Sequence, residues 1–521
     1  MIKKERLNIL LSILTGVLTA LSFEPFSISI FGFFAYIPLF FVFERTEKSL
    51  RKILIYAWLS MFITAILCFQ WIHFVAVEFG LLPKWAAFLI LIGFSLLTNF
   101  SLQIFSVLYH FAGRFTGWTK NYVFYFLIVP SLFVISEFLD PRIFNWYIGN
   151  LLSSFKYLPQ FADFFGVYGL SFFTILINIS VFLIVKYLIK YKKLGYKNFN
   201  YKKLIPGLSV IVAVLLFLEI YGYYNYGQIQ KLEDKCPKIR AAVIQANIGN
   251  PMQLEINQAA KLRKEIGTVD DNSDQALILK KYEIMTKKAV EENSGIDLIV
   301  WPETAFPGYY VERNPQMAEH RKMVEELGVP FLIGGYYIES DTGRYYNSAI
   351  LSTKDRIDYY HKNIRLPFGE YMPMGETIPL LKRLVPSVGD FSKGSGAMTL
   401  DLIINGLEVR FAPTICYEIL KSDYVREMYN KDAHVFLNLS NDSWFGVVEP
   451  YHHLRLARMK ALEFRRPIIR STNTGITTLI DMNGMMVKAG GLNKEDVLVF
   501  DVPICDHRLR TVYATFGYLF P

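Results

Sequence analysis

The sequence predicts a multi-pass α-helical membrane domain followed by a layered α/β domain. Three observations lead there. The chain has 521 residues, more than one ordinary core accommodates, so at least two domains are expected. Apolar residues make up 52% of it and its mean hydropathy is +0.27, too apolar for a purely soluble protein. The apolar pattern also changes character along the chain. Up to Tyr224 long apolar runs alternate with short polar breaks, and from Lys238 short β-prone runs alternate with amphipathic helices. The expected division is 1–224 for the membrane bundle and 225–521 for the second domain.

Seven apolar spans are expected, over 7–22, 29–44, 53–71, 85–112, 122–139, 164–189 and 204–224. Most approach the ~20 residues that a bilayer core demands of a helix. The first follows Lys3-Lys4-Glu5-Arg6, and with six more spans behind it reads as an uncleaved helix rather than a signal peptide. The first two spans are joined through Phe23-Glu24-Pro25-Phe26, as in a tight hairpin. The segment 140–163 is too polar and Pro-broken to span. Its Phe144, Trp146 and Tyr147 suit a membrane interface, as a re-entrant loop or the floor of a lipid site. Glu24, His73 and Glu137 sit at membrane edges and read as helix-end or interface residues.

Basic residues set the orientation. With the N-terminus inside, the inner loops hold 16 Lys and Arg, among them Lys3, Arg45, Arg114 and the Lys186–Lys203 cluster; the outer loops hold only Lys84, Arg142 and Lys156. This positive-inside bias places everything after Tyr224 outside, in the periplasm of a double-membrane bacterium. It also accounts for much of the +9 net charge without nucleic acid.

In the second half, strands are expected at 239–245, 297–301, 330–336, 348–352, 358–360, 408–415, 434–440, 468–471, 475–481 and 497–501. Helices are expected at 275–292, 314–327, 418–429 and 450–465, with 251–274 as a polar loop or insertion. Strands alternating with helices indicate a layered α/β domain. No Gly-rich phosphate loop opens any of these helices.

The candidate chemistry lies at strand ends. The run FAPTICYE (Phe411–Glu418) delivers Cys416 to the end of a buried strand, where ligands bind in α/β sheets. Glu303 follows Trp301-Pro302, and Lys362 sits in YHKNIRLPFGEYMP (Tyr360–Pro373). A thiol needs a base to become a thiolate, and an ammonium lowers its pKa and stabilises an oxyanion. Glu, Lys and Cys together therefore meet the needs of covalent acyl transfer. Each also has a plain structural reading: a helix-terminal carboxylate, a solvated charge, a small core residue. Of the other cysteines, Cys68 lies in an apolar span, and a Cys236–Cys505 disulfide is left open. No CxxC and no Cys/His cluster of metal-ligand spacing occurs, so neither metal nor cofactor is expected.

These residues carry a resemblance. LSFEPF (Leu21–Phe26), GVYGLSFF (Gly166–Phe173), IQANI (Ile244–Ile248), WPETAFP (Trp301–Pro307), YHKNIRLPFGEYMP, ICYE (Ile415–Glu418), LSNDSWFG (Leu439–Gly446) and HLRLARMKALEFRRPIIRSTNTGIT (His453–Thr477) occur in order. The chain resembles the apolipoprotein N-acyltransferases, the membrane-embedded branch of the nitrilase (carbon–nitrogen hydrolase) superfamily. The resemblance implies a nitrilase-like αββα sandwich, with Glu303 as general base, Lys362 as oxyanion-stabilising cation and Cys416 as nucleophile. Glu370, Tyr417 and Glu418 match further functional positions, Glu370 positioning Lys362 or the incoming amine. The implied reaction moves an acyl chain from a phospholipid, phosphatidylethanolamine by expectation, through a Cys416 thioester to the N-terminal amine of an S-diacylglyceryl-cysteine apolipoprotein. The implied location is the bacterial cytoplasmic membrane.

The loops 372–386 and 444–450, with Met372, Met374, Ile378, Leu380, Leu381, Trp444, Phe445, Val447 and Val448, read as lids toward lipid or as ordinary packing. Two departures stand out. Asn363-Ile364-Arg365-Leu366 replaces a His-Leu-Val-like run and adds a cation near Lys362. The family continues into one more transmembrane helix, whereas this sequence ends at Pro521 after RTVYATFGYLFP, so anchoring is expected to rest on seven spans. The rival within the superfamily is a membrane-anchored amidase that uses water as acceptor. A transporter or receptor with an inactive outer domain is disfavoured by the scarcity of charge within the spans.

Overall fold

The computed structural model describes residues 2–117, 121–193, 199–249, 256–266, 273–373, 375, 377, 389–506 and 509–518. The chain divides into two compact units, one of Met1–Gly227 with Thr511–Pro521 and one of Gln228–Arg510.

The first unit is helical. Its helices are α1 (Ile2–Leu21), α2 (Ile37–Thr46), α3 (Leu50–Cys68), α4 (Trp71–Glu78), α5 (Lys84–Leu97), α6 (Ser101–Phe115), α7 (Val129–Leu139), α8 (Ala162–Lys193) and α9 (Ile205–Glu233), the last running on into the second unit. Among the described residues, five stretches are long and apolar enough to cross a membrane: Ser29–Thr46, Leu50–Cys68, Lys84–Phe115, Leu158–Lys192 and Ile205–Glu233. This is a membrane protein. Phe124–Leu139 is apolar but shorter, and α1 begins with its four charged residues.

Two features of this unit depart from the sequence reading. The apolar span over 85–112 is two helices. The chain breaks at Asn99, in the left-handed region at φ 59°, and the Asp140 carboxylate accepts the Phe100 and Ser101 amides at 3.0 and 3.1 Å. A side-chain carboxylate thus supplies the acceptors that open a new helix. The segment 140–163 also turns inward. Trp146 and Tyr147 are buried, Arg142 lies over the Tyr147 ring at 4.5 Å and bonds Asp140 at 2.8 Å, and Glu137 accepts the Ile148 amide at 2.8 Å. Inside the unit these aromatics pack around the polar cluster of Glu137, Asp140 and Arg142. Gly166, within GVYGLSFF, kinks α8 at φ 63°. A Cβ there would stand 2.4 Å from the Tyr513 ring, so the close approach of the C-terminal residues requires glycine.

The second unit holds two six-stranded sheets. The first contains β1 (Lys238–Gln245), β2 (Leu298–Val300), β3 (Phe331–Ile338), β4 (Tyr345–Ser352), β5 (Ile357–His361) and β12 (Asp496–Pro503), in the order β12-β1-β2-β3-β4-β5. The second contains β6 (Leu400–Ile404), β7 (Leu407–Ile415), β8 (Val435–Ser440), β9 (Ile468–Thr472), β10 (Thr478–Ile480) and β11 (Met486–Ala489), in the order β11-β10-β9-β8-β7-β6. β1, β2 and β3 run parallel, as do β7, β8 and β9; antiparallel strands flank both cores. The sheets face each other, β1 against β9 and β4 against β7. Helices α10 (Ile256–Ile266), α11 (Asp274–Glu292) and α12 (Pro315–Leu327) contribute to a core with the first sheet, and the helix Ser422–Tyr429 packs against β7. This is the αββα sandwich. Covered on both faces, β8 and β9 are buried at every position, and their polar side chains Asn438, Ser440, Arg470, Ser471 and Thr472 are buried with them.

Here too the sequence reading needs correction. Part of the expected 251–274 loop is helix α10. The expected helix 418–429 starts as a tight 3-10 turn, Cys416–Leu420, because the Glu418 side chain folds back on the strand end; the α-helix begins at Ser422. Strands β6 and β11 were not expected. Both are edge strands, and β11 is exposed at all four positions, so no burial pattern marks it.

Cys236 and Cys505 form a disulfide closing 269 residues, packed with Ile229 and Met482. A native disulfide typically contributes about 2–4 kcal/mol, chiefly by restricting the unfolded chain. Thermal melts of the full-length protein should show a lower midpoint for Cys236→Ser or after reduction, with the two treatments not additive.

Candidate functional site

The site forms where both sheets end. Glu303 follows β2. Burial is complete, and its carboxylate accepts the Asn347 side-chain amide at 2.7 Å and the Asn441 backbone amide at 2.8 Å. Asn347 comes from β4 and Asn441 from the end of β8, so a residue of each sheet holds this carboxyl in place. Lys362 closes β5, its own amide bonding the Asn347 carbonyl at 2.8 Å. Its ammonium is buried, 2.8 Å from Glu370 and 3.6 Å from Glu303. The Asn347 amide also reaches Glu370, at 3.1 Å. Cys416 ends β7 and adopts φ 52°, a left-handed conformation that costs a non-glycine residue about 1–2 kcal/mol. Thr304 and Phe368, at φ 56° and 63°, are similarly strained around the same site.

The electrostatics follow from burial. Desolvation raises the Glu303 pKa, with Lys362 opposing and Glu370 adding to the rise. A carboxyl lifted in this way is a better proton acceptor. Burial alone would lower the Lys362 pKa, but Glu370, Glu303 and the Cys416 site outweigh it, and the ammonium stays charged. Burial pushes the Cys416 thiol well up, Glu303 pushes it further, and Lys362 pulls it down. The thiol therefore rests protonated beside a base and a fixed cation. That arrangement can take up the thiol proton and hold negative charge on a tetrahedral adduct.

Of the other expected residues, Glu370 joins this cluster. Its second oxygen accepts the Leu366 amide at 2.7 Å, closing the turn that follows Lys362. Glu418 occupies a different place. It is fully buried, accepts the Asn363 and Ile364 amides at 2.6 and 2.9 Å on one oxygen, and the Ile415 amide and Tyr360 hydroxyl at 2.8 Å each on the other. It is a clamp between the Lys362 strand end and the Cys416 turn. The Tyr417 ring is buried and carries the Lys421 ammonium at 4.6 Å. Trp444 lies on the 3-10 turn Asp442–Phe445 and is 37% exposed, and Val447 is exposed, whereas Phe445 and Met372 are buried. Met374, Ile378, Leu380 and Leu381 lie outside the described residues. Arg365 is turned onto the Phe391 carbonyl (2.7 Å) and the Tyr371 ring (4.7 Å).

Asn347 and Asn441 were missed. Asn441 falls inside LSNDSWFG, a motif quoted without a role for this residue; no local signal marks Asn347, which matters only through the strand pairing that places it. Among the described residues one group has the composition of a metal site: Asp442, Glu449 and His453, with ligand atoms within 4.8 Å of one another. Arg470 bonds Asp442 at 2.8 Å and already supplies a cation there.

With this geometry in hand, the relatives can be compared. Residues 240–508 match the carbon–nitrogen hydrolase family model, and residues 15–180 match that of the apolipoprotein N-acyltransferase N-terminal domain. The apolipoprotein N-acyltransferase of Bdellovibrio bacteriovorus is 29% identical, over 97% of this chain and 90% of that protein. That of Geobacter metallireducens is 28% identical, over 99% and 92%. Among solved structures, the carbon–nitrogen hydrolase from Helicobacter pylori is 14% identical and aligns over 54% of this chain and 94% of that one, at a TM-score of 0.37. The chain belongs to the carbon–nitrogen hydrolase family. Within it, the joint match of both halves places the chain with the apolipoprotein N-acyltransferases.

Glu418 yields two predictions. Glu418→Ala leaves three buried backbone amides without acceptors, each costing about 1–3 kcal/mol; the melting midpoint should fall sharply and activity with it. Burial lifts the Glu418 carboxyl from 4.5 to about 7. A folded-state pKa above the unfolded one stabilises fully below pH 4.5, and the gain fades as pH rises through 7. Melting midpoints measured across that window should lose this part of their pH slope in Glu418→Gln.

Proposed function

We propose that this protein transfers a fatty acyl chain from a phospholipid to the N-terminal amine of an S-diacylglyceryl-cysteine apolipoprotein, completing lipoprotein maturation. The observation that carries the reading is the buried set Glu303–Lys362–Glu370 acting on the Cys416 thiol, in a chain matched along nearly its whole length by proteins of that name.

In the first half-reaction Glu303 takes the Cys416 proton, and the sulfur attacks an ester carbonyl of the donor. Lys362 stabilises the oxyanion. The adduct collapses, the C–O bond breaks, and the leaving lysophospholipid takes the proton from Glu303. An acyl thioester remains on Cys416. In the second, the neutral α-amine of the acceptor attacks that thioester, Glu303 takes a proton from the adduct nitrogen, the C–S bond breaks, and the departing sulfur takes that proton back from Glu303 to restore the thiol and the base. Glu370 holds the Lys362 ammonium in place. Tyr417 and Trp444 are assigned to substrate support, and phosphatidylethanolamine is the donor we favour.

Both substrates are lipid-anchored, so a catalytic domain carried on its own membrane helices reaches them without extraction. The 16-to-3 distribution of basic residues and the Cys236–Cys505 disulfide support an extracytoplasmic catalytic domain, since disulfides persist in oxidising compartments. The seven spans expected from the sequence, counted from an inner N-terminus, give the same side.

Incubating the purified protein with phosphatidylethanolamine should place one acyl group on Cys416 by mass spectrometry, absent in Cys416→Ala and Glu303→Gln although both insert and fold. An acyl group elsewhere, or none, rules the mechanism out. A diacylated lipopeptide added next should gain one acyl mass; release of free fatty acid alone would identify a hydrolase.

A further inference from the structure

Behind Cys416 lies a second polar network that the proposed chemistry does not use. It starts at the Cys416 carbonyl, which accepts His453 Nε2 at 3.0 Å and Asn438 Nδ2 at 3.4 Å. Asn438 Oδ1 accepts Arg470 Nη1 at 2.6 Å, and Arg470 Nη2 bonds Asp442 Oδ2 at 2.8 Å. Asp442 Oδ1 accepts Ser440 Oγ at 2.6 Å and faces His453 Nδ1 at 3.9 Å; Glu449 Oε1 faces the same nitrogen at 3.6 Å. The chain of bonds thus runs from the Cys416 carbonyl through Asn438 and Arg470 to Asp442, and stops short of His453 Nδ1. All its members are buried. Gly475 makes room for it, since a Cβ there would stand 1.9 Å from Asp442 Oδ2.

We infer that His453, fixed in its Nε2–H form by a protonated Glu449, is the positioning residue that locks the left-handed backbone of Cys416 and so aims its sulfur. The tautomer follows from the acceptor. A backbone carbonyl has no proton to give, so Nε2 must donate. A neutral imidazole then offers Nδ1 as an acceptor, and Nδ1 has no hydrogen-bond partner in the resting geometry. The atom suited to fill it is a carboxyl O–H of Glu449, on the same helix one turn earlier, whose Oε2 is also unpartnered. The gap of 3.6 Å closes to a hydrogen bond with a small rotation of either side chain. Burial, then Asp442, raises the Glu449 pKa well above its ordinary value, while burial, then Arg470, lowers that of His453 to about 3. Both directions favour the neutral pair. A divalent ion is a poorer occupant, because the Arg470 guanidinium already balances Asp442.

The backbone needs this support because left-handed Cys416 is strained, and strain of 1–3 kcal/mol persists only where surroundings over-determine it. The Ile415 amide is held by Glu418 on one side, and the Cys416 carbonyl by His453 and Asn438 on the other. Loss of the His453 bond lets the sulfur swing, and a misplacement of ~1 Å costs on the order of 100-fold in rate.

This inference rests on the Cys416 thioester reading. The test follows thioester formation on Cys416 in the full-length protein in phosphatidylethanolamine vesicles. Wild type is the control: without a Cys416 acyl group the proposed function fails, whatever the variants do. With it, His453→Ala should lower the acylation kcat on the order of 100-fold at a near-unchanged KM for lipid. His453→Gln, which still donates to the carbonyl, should recover most of that loss. Glu449→Gln should acylate far faster than Glu449→Ala, because an amide donates to Nδ1 as a carboxylic acid does. Should His453→Ala not fold, the other three variants decide. Wild-type kcat in His453→Ala, equal loss in Glu449→Gln and Glu449→Ala, or a stoichiometric divalent metal in the purified protein that Glu449→Gln lacks would each overturn the inference.

Discussion

The Glu418 carboxylate holds the candidate site together. Glu303 and Lys362 come from one sheet and Cys416 from the other, and two sheets packed face to face are free to slide by fractions of an ångström unless something ties their ends. Glu418 bonds the Asn363 and Ile364 amides just beyond β5, the Tyr360 hydroxyl within it, and the Ile415 amide at the end of β7. One buried side chain thus satisfies three backbone donors that the strand ends would otherwise leave unpaired, and fixes the lysine against the cysteine. The Asn441 amide on Glu303 makes a second tie in the same direction.

That rigidity matters because the charges in the site are expensive. An ammonium taken out of water loses several kcal/mol of hydration, and a carboxylate about 4 Å away returns about 4 kcal/mol at the effective dielectric of a protein. Lys362 therefore stays charged only with Glu370 in contact and Glu303 close by. The same burial holds the Cys416 thiol neutral at rest and makes Glu303 willing to accept a proton. A base, a cation and a latent nucleophile result from one cause, the exclusion of water, acting on three different groups.

Much of this was legible in the chain. The apolar runs marked the membrane helices because a bilayer asks for length and hydrophobicity, both local properties. The buried strands β1, β7 and β8 announced themselves by the apolar residues that dominate them, again a local property. What local pattern could not convey were the features made by distant partners. The break at Asn99 depends on Asp140. The inward turn of Trp146 and Tyr147 depends on a polar cluster around Arg142. The edge strand β11 has no buried face to leave a period, and α10 lay in a stretch too polar to read as core.

The candidate site divides along the same line. By itself the sequence determined which chemistry was available: Glu303, Lys362 and Cys416 each stand at or near the end of an apolar strand, and strand ends are where a sheet exposes its functional groups. The tertiary structure alone decided how those groups are held. Asn347 bridges Glu303 and Glu370 because β4 pairs with β5, Glu418 clamps the two strand ends together, and His453 reaches the Cys416 carbonyl from 37 residues away. Hydrogen bonds and burial are properties of the neighbours a residue acquires on folding, and no single stretch of chain contains them.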